Sequence, residues 1–214
     1  MGYKVLQKNL TFSQYKMADV TLLTTLCCVF EALITVAAIE WFPEQPYSVS
    51  LVYAFVALVS MRWNGYSVVT ALCGGLTYCI TANLCANKVA AAGMPFTAMG
   101  AQGYLVILGG NLFCLLVLIL HKVIGKQKIR DSILFSILYV AAVFVSMSLG
   151  RFGIMLLVNT SVSRALEIVM YDLLSFVFAL VIVLICRKQN GLFEDQRSYL
   201  LRLEEERRNK QAQG

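Results

Sequence analysis

The stretch from Val20 to Leu120 contains only five side chains that are ionised at neutral pH, namely Glu31, Glu40, Glu44, Arg62 and Lys88. The whole chain of 214 residues is 59% hydrophobic and 14% charged, whereas a soluble domain has about 45–50% apolar and roughly 25% charged residues. A stretch with so little polar surface cannot fold in water, which excludes a soluble enzyme, a disordered chain and a disulfide-rich secreted domain. The composition predicts an all-α membrane protein that crosses the bilayer several times.

The apolar runs give the number of crossings. A helix needs about 20 apolar residues to cross the hydrocarbon core of a bilayer, and five runs meet this requirement. They are Val20–Ile39, Val68–Cys85, Met99–Leu120, Ser132–Val158 and Val162–Cys186. A shorter run, Ser48–Met61, counts as a further span because the distribution of basic residues requires an additional crossing there. We therefore predict a bundle of six transmembrane helices.

The basic residues predict how this bundle is oriented. With six crossings, 15 Lys and Arg side chains fall on one side of the membrane and three, Lys88, Arg151 and Arg164, fall on the other. Because cytoplasmic loops are enriched in Lys and Arg, both termini are expected in the cytoplasm. The predicted organisation is a cytoplasmic N-terminal segment (1–19), a transmembrane domain (20–188) and a charged, helical cytoplasmic tail (189–214). The first span is expected to be retained, since the N-terminal segment is too polar for a signal peptide.

Catalytic, metal-binding and nucleic-acid-binding patterns are missing from the sequence. It contains no G-x-S-x-G, H-E-x-x-H or P-loop motif, so we predict no enzyme. The seven cysteines lie in or beside apolar runs without a C-x-x-C pair, and are interpreted as packing groups rather than ligands of a metal or cofactor. The net charge of +6 arises from helix ends and the tail, where basic residues contact anionic lipid headgroups rather than nucleic acid.

Polar side chains within the spans are concentrated in the outer halves of spans three to six. Because a charged group in the bilayer centre costs about 2.5–3.5 kcal/mol on insertion scales, each of them requires an explanation. We predict that they line an outward-facing cup that binds a small solute. The predicted solute-binding residues are Asn83, Gln102, Asn111, Arg151, Asn159, Arg164, Glu167 and Asp172. The alternative is a structural role, in which Arg151 or Arg164 neutralises Glu167 and Asp172.

Two further features leave alternatives open. Glu31 lies near the centre of span one, where it is either protonated and tolerated or paired across the bundle. The small residues Ala32, Ala37, Ala71 and Gly75 leave shallow helix faces. Such faces allow close helix–helix approach, so they serve either a partner helix outside this chain or packing within the bundle.

The chain resembles the S components of energy-coupling-factor (ECF) vitamin transporters. Phe55–Gly65 is similar to the short second span and tight inner turn of that family, and Ala71–Leu76 to its glycine-rich third span. Gly109–Leu112 is similar to the glycine-asparagine step of its fourth span. The resemblance covers roughly residues 18–188 and extends to size, alanine-rich first span and topology.

This resemblance implies high-affinity capture of a vitamin-like solute at the outer face of a bacterial cell membrane. Segment 87–98 would act as a lid, and small-residue faces would contact a transmembrane coupling subunit that carries two ATPases. The solute would then be delivered by toppling of the protein within the membrane. Two alternatives remain: a non-transporting scaffold of the cell envelope, similar to MreD-type proteins, and a small secondary transporter that works as a dimer and depends on ions or protons.

Overall fold

The computed structural model describes residues 12–41, 49–86, 100–125, 128–129, 132–158, 160–187 and residue 209. These described residues are almost entirely helical and include no strand, which confirms the all-α prediction. We number the helices in chain order: α1 is Phe12–Trp41, α2 is Val52–Trp63, α3 is Ser67–Leu84, α4 is Ala101–Ile124, α5 is Ile133–Leu157 and α6 is Val162–Arg187. The predicted tail lies outside the described residues except for residue 209.

Five helical segments of the described chain are long and apolar enough to cross a membrane. Four are α1 from Ser13 onward, α4, α5 and α6, and the fifth is Val52–Leu84, which contains both α2 and α3. By itself α2 has 12 residues, about 18 Å at 1.5 Å per residue, and is shorter than the hydrocarbon core of roughly 30 Å. These lengths fit a multi-pass membrane protein.

A sharp turn separates α2 from α3. The turn is a short 3-10 helix, Asn64–Tyr66, and it begins with Asn64 at a φ of 55°, a left-handed conformation that a helix interior does not accept. A Cβ atom on Gly74 would lie 2.8 Å from a methyl carbon of Val52, which is 22 residues earlier in the chain. The two helices are therefore folded back on each other as an antiparallel hairpin, with the tight turn where the sequence predicts it.

Consecutive helices alternate in direction through the bundle. Asp19, in the first part of α1, contacts Trp63 at the end of α2, whereas Glu31 farther along α1 contacts Leu51 just before α2 begins. In the same way, the α3 residue Asn83 donates a hydrogen bond to the hydroxyl of Tyr104 at the start of α4 (3.2 Å). One end of the bundle thus collects the C-terminal ends of α1, α3 and α5 and the N-terminal ends of α2, α4 and α6.

Helix α2 occupies the centre of the bundle. Every one of its residues except Arg62 is buried, and it packs against α1, α3, α5 and α6. A helix that is apolar on all sides is expected to be enclosed by other helices. The surrounding helices instead expose large apolar side chains such as Leu33, Ile119 and Leu157 on their outer surfaces, as a protein solvated by lipid requires.

The two ends of the bundle differ in charge. Arg62 and Asp19 form an ion pair (3.1 Å) at the end where α2 finishes, and the ammonium group of Lys16 lies 4.3 Å from the centre of the Tyr66 ring. We call this the basic end, because the described basic residues Arg62, Lys122, Lys128 and Arg187 lie at helix ends on this side. The other is the Glu40 end, named for the acidic residue near the end of α1.

Candidate functional site

Four polar side chains from four different helices meet inside the bundle, and we call them the Arg151 network. The guanidinium of Arg151 on α5 forms an ion pair with Asp172 on α6 (2.7 Å) and donates a hydrogen bond to the side-chain oxygen of Asn111 on α4 (2.9 Å). The hydroxyl of Tyr53 on α2 donates to the same carboxylate oxygen of Asp172 (2.9 Å). The Arg151 guanidinium also lies 5.1 Å from the centre of the Tyr53 ring, within the range of a cation–π contact.

Breaks in helix regularity position two members of this network. Asp172 lies at the junction between the two helical segments of α6, Val162–Tyr171 and Leu173–Arg187. In α4, a π-helical turn, Leu105–Gly109, is followed by the short α-helical piece Gly110–Leu112 that contains Asn111. Such single-turn irregularities re-aim the side chains that follow them and are frequent at functional sites.

Glycine at position 110 allows α5 to come close enough for the network to form. A Cβ atom at Gly110 would lie 2.7 Å from the backbone nitrogen and 2.8 Å from the Cα of Arg151. Real Cβ atoms essentially never approach backbone atoms this closely, so a larger residue would push α5 away. Asn111, the next residue, is consequently held directly against the Arg151 side chain.

Asn111 is fixed from its other side by α3. Its side-chain nitrogen donates to the backbone oxygen of Ala71 (2.8 Å), and a Cβ on Gly75 would lie only 2.5 Å from that nitrogen. Ala71 and Gly75 are therefore buried against α4 within this chain. Of the two alternatives for the small residues, a partner helix or packing within the bundle, Ala71 and Gly75 show packing within the bundle. Ala32 and Ala37 on α1 are partly exposed.

The Arg151 network lies inside the bundle, well short of the helix termini at the Glu40 end. Asp172 and Asn111 each lie ten residues from the start of their helices, and Arg151 lies six residues before the end of α5. At 1.5 Å per residue these distances are about 15 Å and about 9 Å. Arg151 is 6% exposed, Asp172 7% and Asn111 0%. The two opposite charges compensate each other, since a single buried charge without a partner is costly inside a bundle that lipid surrounds.

A second polar group, the Glu31 cluster, lies beside the Arg151 network where α2 begins. The backbone N–H of Leu51 donates to Oε2 of Glu31 (2.8 Å), and the backbone N–H of Ser50 donates to the hydroxyl of Ser175 on α6 (2.9 Å). Glu31 thereby satisfies an amide at the start of α2 that has no partner within that helix. Glu31 is therefore paired across the bundle with a backbone amide at the start of α2, and not with a basic side chain of the described residues.

The remaining predicted solute-binding residues do not join the Arg151 network. Arg164 forms an ion pair with Glu167 (2.8 Å) on an exposed face of α6, with side chains 61% and 42% exposed. Asn83 is half-buried and bonded to Tyr104, and Gln102 is exposed at the start of α4. Asn159 and the predicted lid lie outside the described residues. Of the eight residues, the structure therefore brings together Asn111, Arg151 and Asp172.

Tyr53 is the member of the network that sequence reasoning missed. It lies in a continuous apolar run, Val52–Leu58, where a single hydroxyl does not stand out from the hydrophobic pattern. The signal that could have identified it is its position near the start of a short span, at the same end as the other network residues. A buried tyrosine hydroxyl ordinarily needs a hydrogen-bond partner, such as the Asp172 carboxylate.

The chemistry available here is recognition by charge and hydrogen bonding. Within the described residues no three His, Cys, Asp or Glu side chains are grouped as a metal site would require, and all seven cysteines are free thiols. The Arg151 network combines a cation, an anion, an amide and a phenol, which suits a ligand that carries both signs of charge.

Comparison with known proteins finds no matching family model, no matching curated protein and no matching solved structure.

Proposed function

We propose that this protein captures a small vitamin-like solute at the outer membrane face and takes it up together with an ATP-driven coupling complex, as an S component does, without catalysing a reaction itself. The observation that carries the proposal is the Arg151 network. Its four side chains, an ion pair and two hydrogen-bonding partners, come from four different helices. A bundle held together by apolar packing does not need these charged groups, and ionisable residues within spans commonly mark solute pathways.

The proposed topology has six crossings and both termini in the cytoplasm. Two arrangements support it: the antiparallel hairpin of α2 and α3, and the alternation of direction from α1 to α6. The described basic residues at helix ends are concentrated at the basic end, which corresponds to the cytoplasmic face by the positive-inside rule. The Arg151 network then lies in the half of the bundle nearer the outside, where a solute arrives.

The proposed solute carries both an anionic and a cationic or amide group. Arg151 would bind its carboxylate and Asp172 its cationic or amide end, while Asn111 and Tyr53 orient it through hydrogen bonds. A solute with this charge pattern replaces the internal ion pair without leaving either protein charge unpaired. A solute with one charged group and no second polar group would leave the other protein charge buried and without a partner.

Thermal unfolding of the detergent-solubilised protein against a panel of vitamins and zwitterionic amides tests the proposal. A ligand at 100 times its Kd stabilises the folded state by about 2.7 kcal/mol, and we expect at least one zwitterionic compound to raise the unfolding temperature. Asn111→Leu should abolish the shift, because it removes the amide while keeping the volume. The matched control Gln102→Leu, an exposed amide on the same helix, should retain it. Absence of any shift across the panel, combined with failure to co-purify with an ATPase-bearing complex, would contradict the proposal.

The internal pairing of the network favours a second candidate, a membrane scaffold that transports nothing. Arg151, Asp172 and Asn111 all have partners within this chain, as a purely structural network would. A scaffold predicts that mutations in the network change stability alone. Solute capture predicts that network variants that still fold also lose the ligand-induced rise in unfolding temperature, so measuring both quantities separates the two.

A further inference from the structure

We infer that the Glu31 cluster is a binding site for a sodium ion, with Glu31, Thr35, Ser50 and Ser175 as the oxygen donors. Glu31 is completely buried, and one of its carboxylate oxygens, Oε2, accepts the Leu51 amide. The other oxygen, Oε1, has no hydrogen-bond partner among the described residues. A buried carboxylate oxygen without a partner costs free energy that a bound cation would recover.

Thr35 supplies the second unpartnered oxygen. It lies four residues after Glu31 on α1, so the two side chains project from the same face one helical turn apart. Its hydroxyl is buried and makes no hydrogen bond in the described structure. Buried hydroxyls in helices commonly bond to the carbonyl four residues earlier, as Ser146 does with Ala142 here. The Thr35 hydroxyl is thus available to a ligand.

Two serine hydroxyls complete the donor set. Ser50 directly precedes Leu51, the residue bonded to Glu31, and its backbone N–H is held by the hydroxyl of Ser175. The N-terminal part of α2 therefore brings oxygens from α1, α6 and the segment before α2 to one place. A carboxylate with neutral hydroxyl oxygens suits a hard cation. The single carboxylate favours a monovalent ion over a divalent one.

The charge balance of the interior supports a cation at this position. The buried ionisable groups at this end of the described bundle are the carboxylates of Glu31 and Asp172 and the guanidinium of Arg151. Arg151 is already bound to Asp172, which leaves the Glu31 carboxylate as an excess negative charge. One sodium ion makes the buried set neutral, and a net charge within the bilayer is costly.

Thermal unfolding in sodium, potassium and choline chloride at equal ionic strength and fixed pH tests the inference, without any organic solute present. We expect a saturable rise with sodium, about 5 °C or more at 100 times the Kd, and no rise with choline. Glu31→Gln should make unfolding insensitive to sodium. Thr35→Val keeps the carboxylate and should raise the half-saturating sodium concentration at least tenfold. This variant therefore tests the sodium site even if Glu31→Gln does not fold.

Thr24→Val is the matched control. Thr24 is also a buried threonine on α1, but its hydroxyl is bonded to Thr70 (2.8 Å), so this variant should unfold at a lower temperature while keeping its response to sodium. Equal stabilisation by all three salts would overturn the inference. So would stabilisation by low pH alone, since that result would identify a proton at Glu31 instead. Either negative result leaves solute capture at the Arg151 network unaffected, because no solute is present in the measurement.

Discussion

At the scale of single residues, the ion pair between Arg151 and Asp172 is the most consequential contact. Both groups are nearly inaccessible, so neither regains hydration if the other is removed. A guanidinium cannot lose its proton in a protein, whereas a buried carboxylic acid can become neutral. Loss of Asp172 is therefore the more damaging change, because it leaves Arg151 charged and without its principal partner.

We predict that Asp172→Asn lowers the unfolding free energy by about 3–5 kcal/mol, the usual cost of breaking a buried ion pair. The measurement is denaturation in mixed micelles followed by a spectroscopic probe of helicity. The double variant Arg151→Met, Asp172→Leu should recover most of the loss, because no buried charge remains unpaired. Arg164→Met, which breaks the exposed pair with Glu167, is the control and should leave stability unchanged. A fully stable Asp172→Asn variant would show that the pair is not structural.

At the scale of helices, the close approach of α4 and α5 determines whether the network can form. Gly110 and Gly150 face each other across this contact, where a Cβ on Gly150 would lie 2.8 Å from the carbonyl oxygen of Gly110. Small residues permit such backbone proximity in membrane proteins, where dispersion contacts supply much of the association energy. Only the packing shows which helix each of these glycines contacts.

Gly110→Ala should destabilise the protein by about 1–3 kcal/mol, the range found for overpacking a well-packed interior. The added methyl group meets the backbone of Arg151, which cannot move aside as a flexible side chain could. The same substitution at Gly153 on α5 is a matched control, since a Cβ there meets nothing within 4 Å. Unfolding temperatures of the two variants provide the comparison. Equal temperatures for both would contradict a close α4–α5 contact.

At the scale of the whole molecule, the six-span topology depends on α2 crossing the membrane despite its short length. Eleven of its 12 residues are buried by α1, α3, α5 and α6, so the helix need not match the bilayer thickness as a lipid-exposed helix must. Five segments satisfy the length criterion because α2, the turn and α3 form one helical segment, Val52–Leu84, although the chain reverses direction between α2 and α3.

Reporter fusions along the chain test this topology. Alkaline phosphatase, which is active only outside the cytoplasm, should be active when fused after residues 45, 92 and 159. A fluorescent protein that matures only in the cytoplasm should fluoresce after residues 65, 125 and 214. The decisive pair is 45 and 65: if both report the same side, α2 does not cross and the six-span topology is wrong. Opposite results at these two positions support it.

Much of the fold was predictable because hydropathy is a local property. The predicted spans Ser132–Val158 and Val162–Cys186 agree with α5 and α6 within one residue at each end, and the turn after Arg62 was placed correctly. A run of about 20 apolar residues must form a helix in lipid, because every backbone N–H and C=O has to be bonded within the segment. No knowledge of neighbouring helices enters that argument.

The side-chain pairings, by contrast, were decided by tertiary structure. The sequence left open which base neutralises which acid, and the structure pairs Arg151 with Asp172 and Arg164 with Glu167. Tyr53 reaches Asp172 from 119 positions away, and Glu31 finds its partner at the start of another helix. These contacts depend on how far each helix is rotated about its own axis. That rotation is set by packing among several helices, so no single segment of sequence contains it.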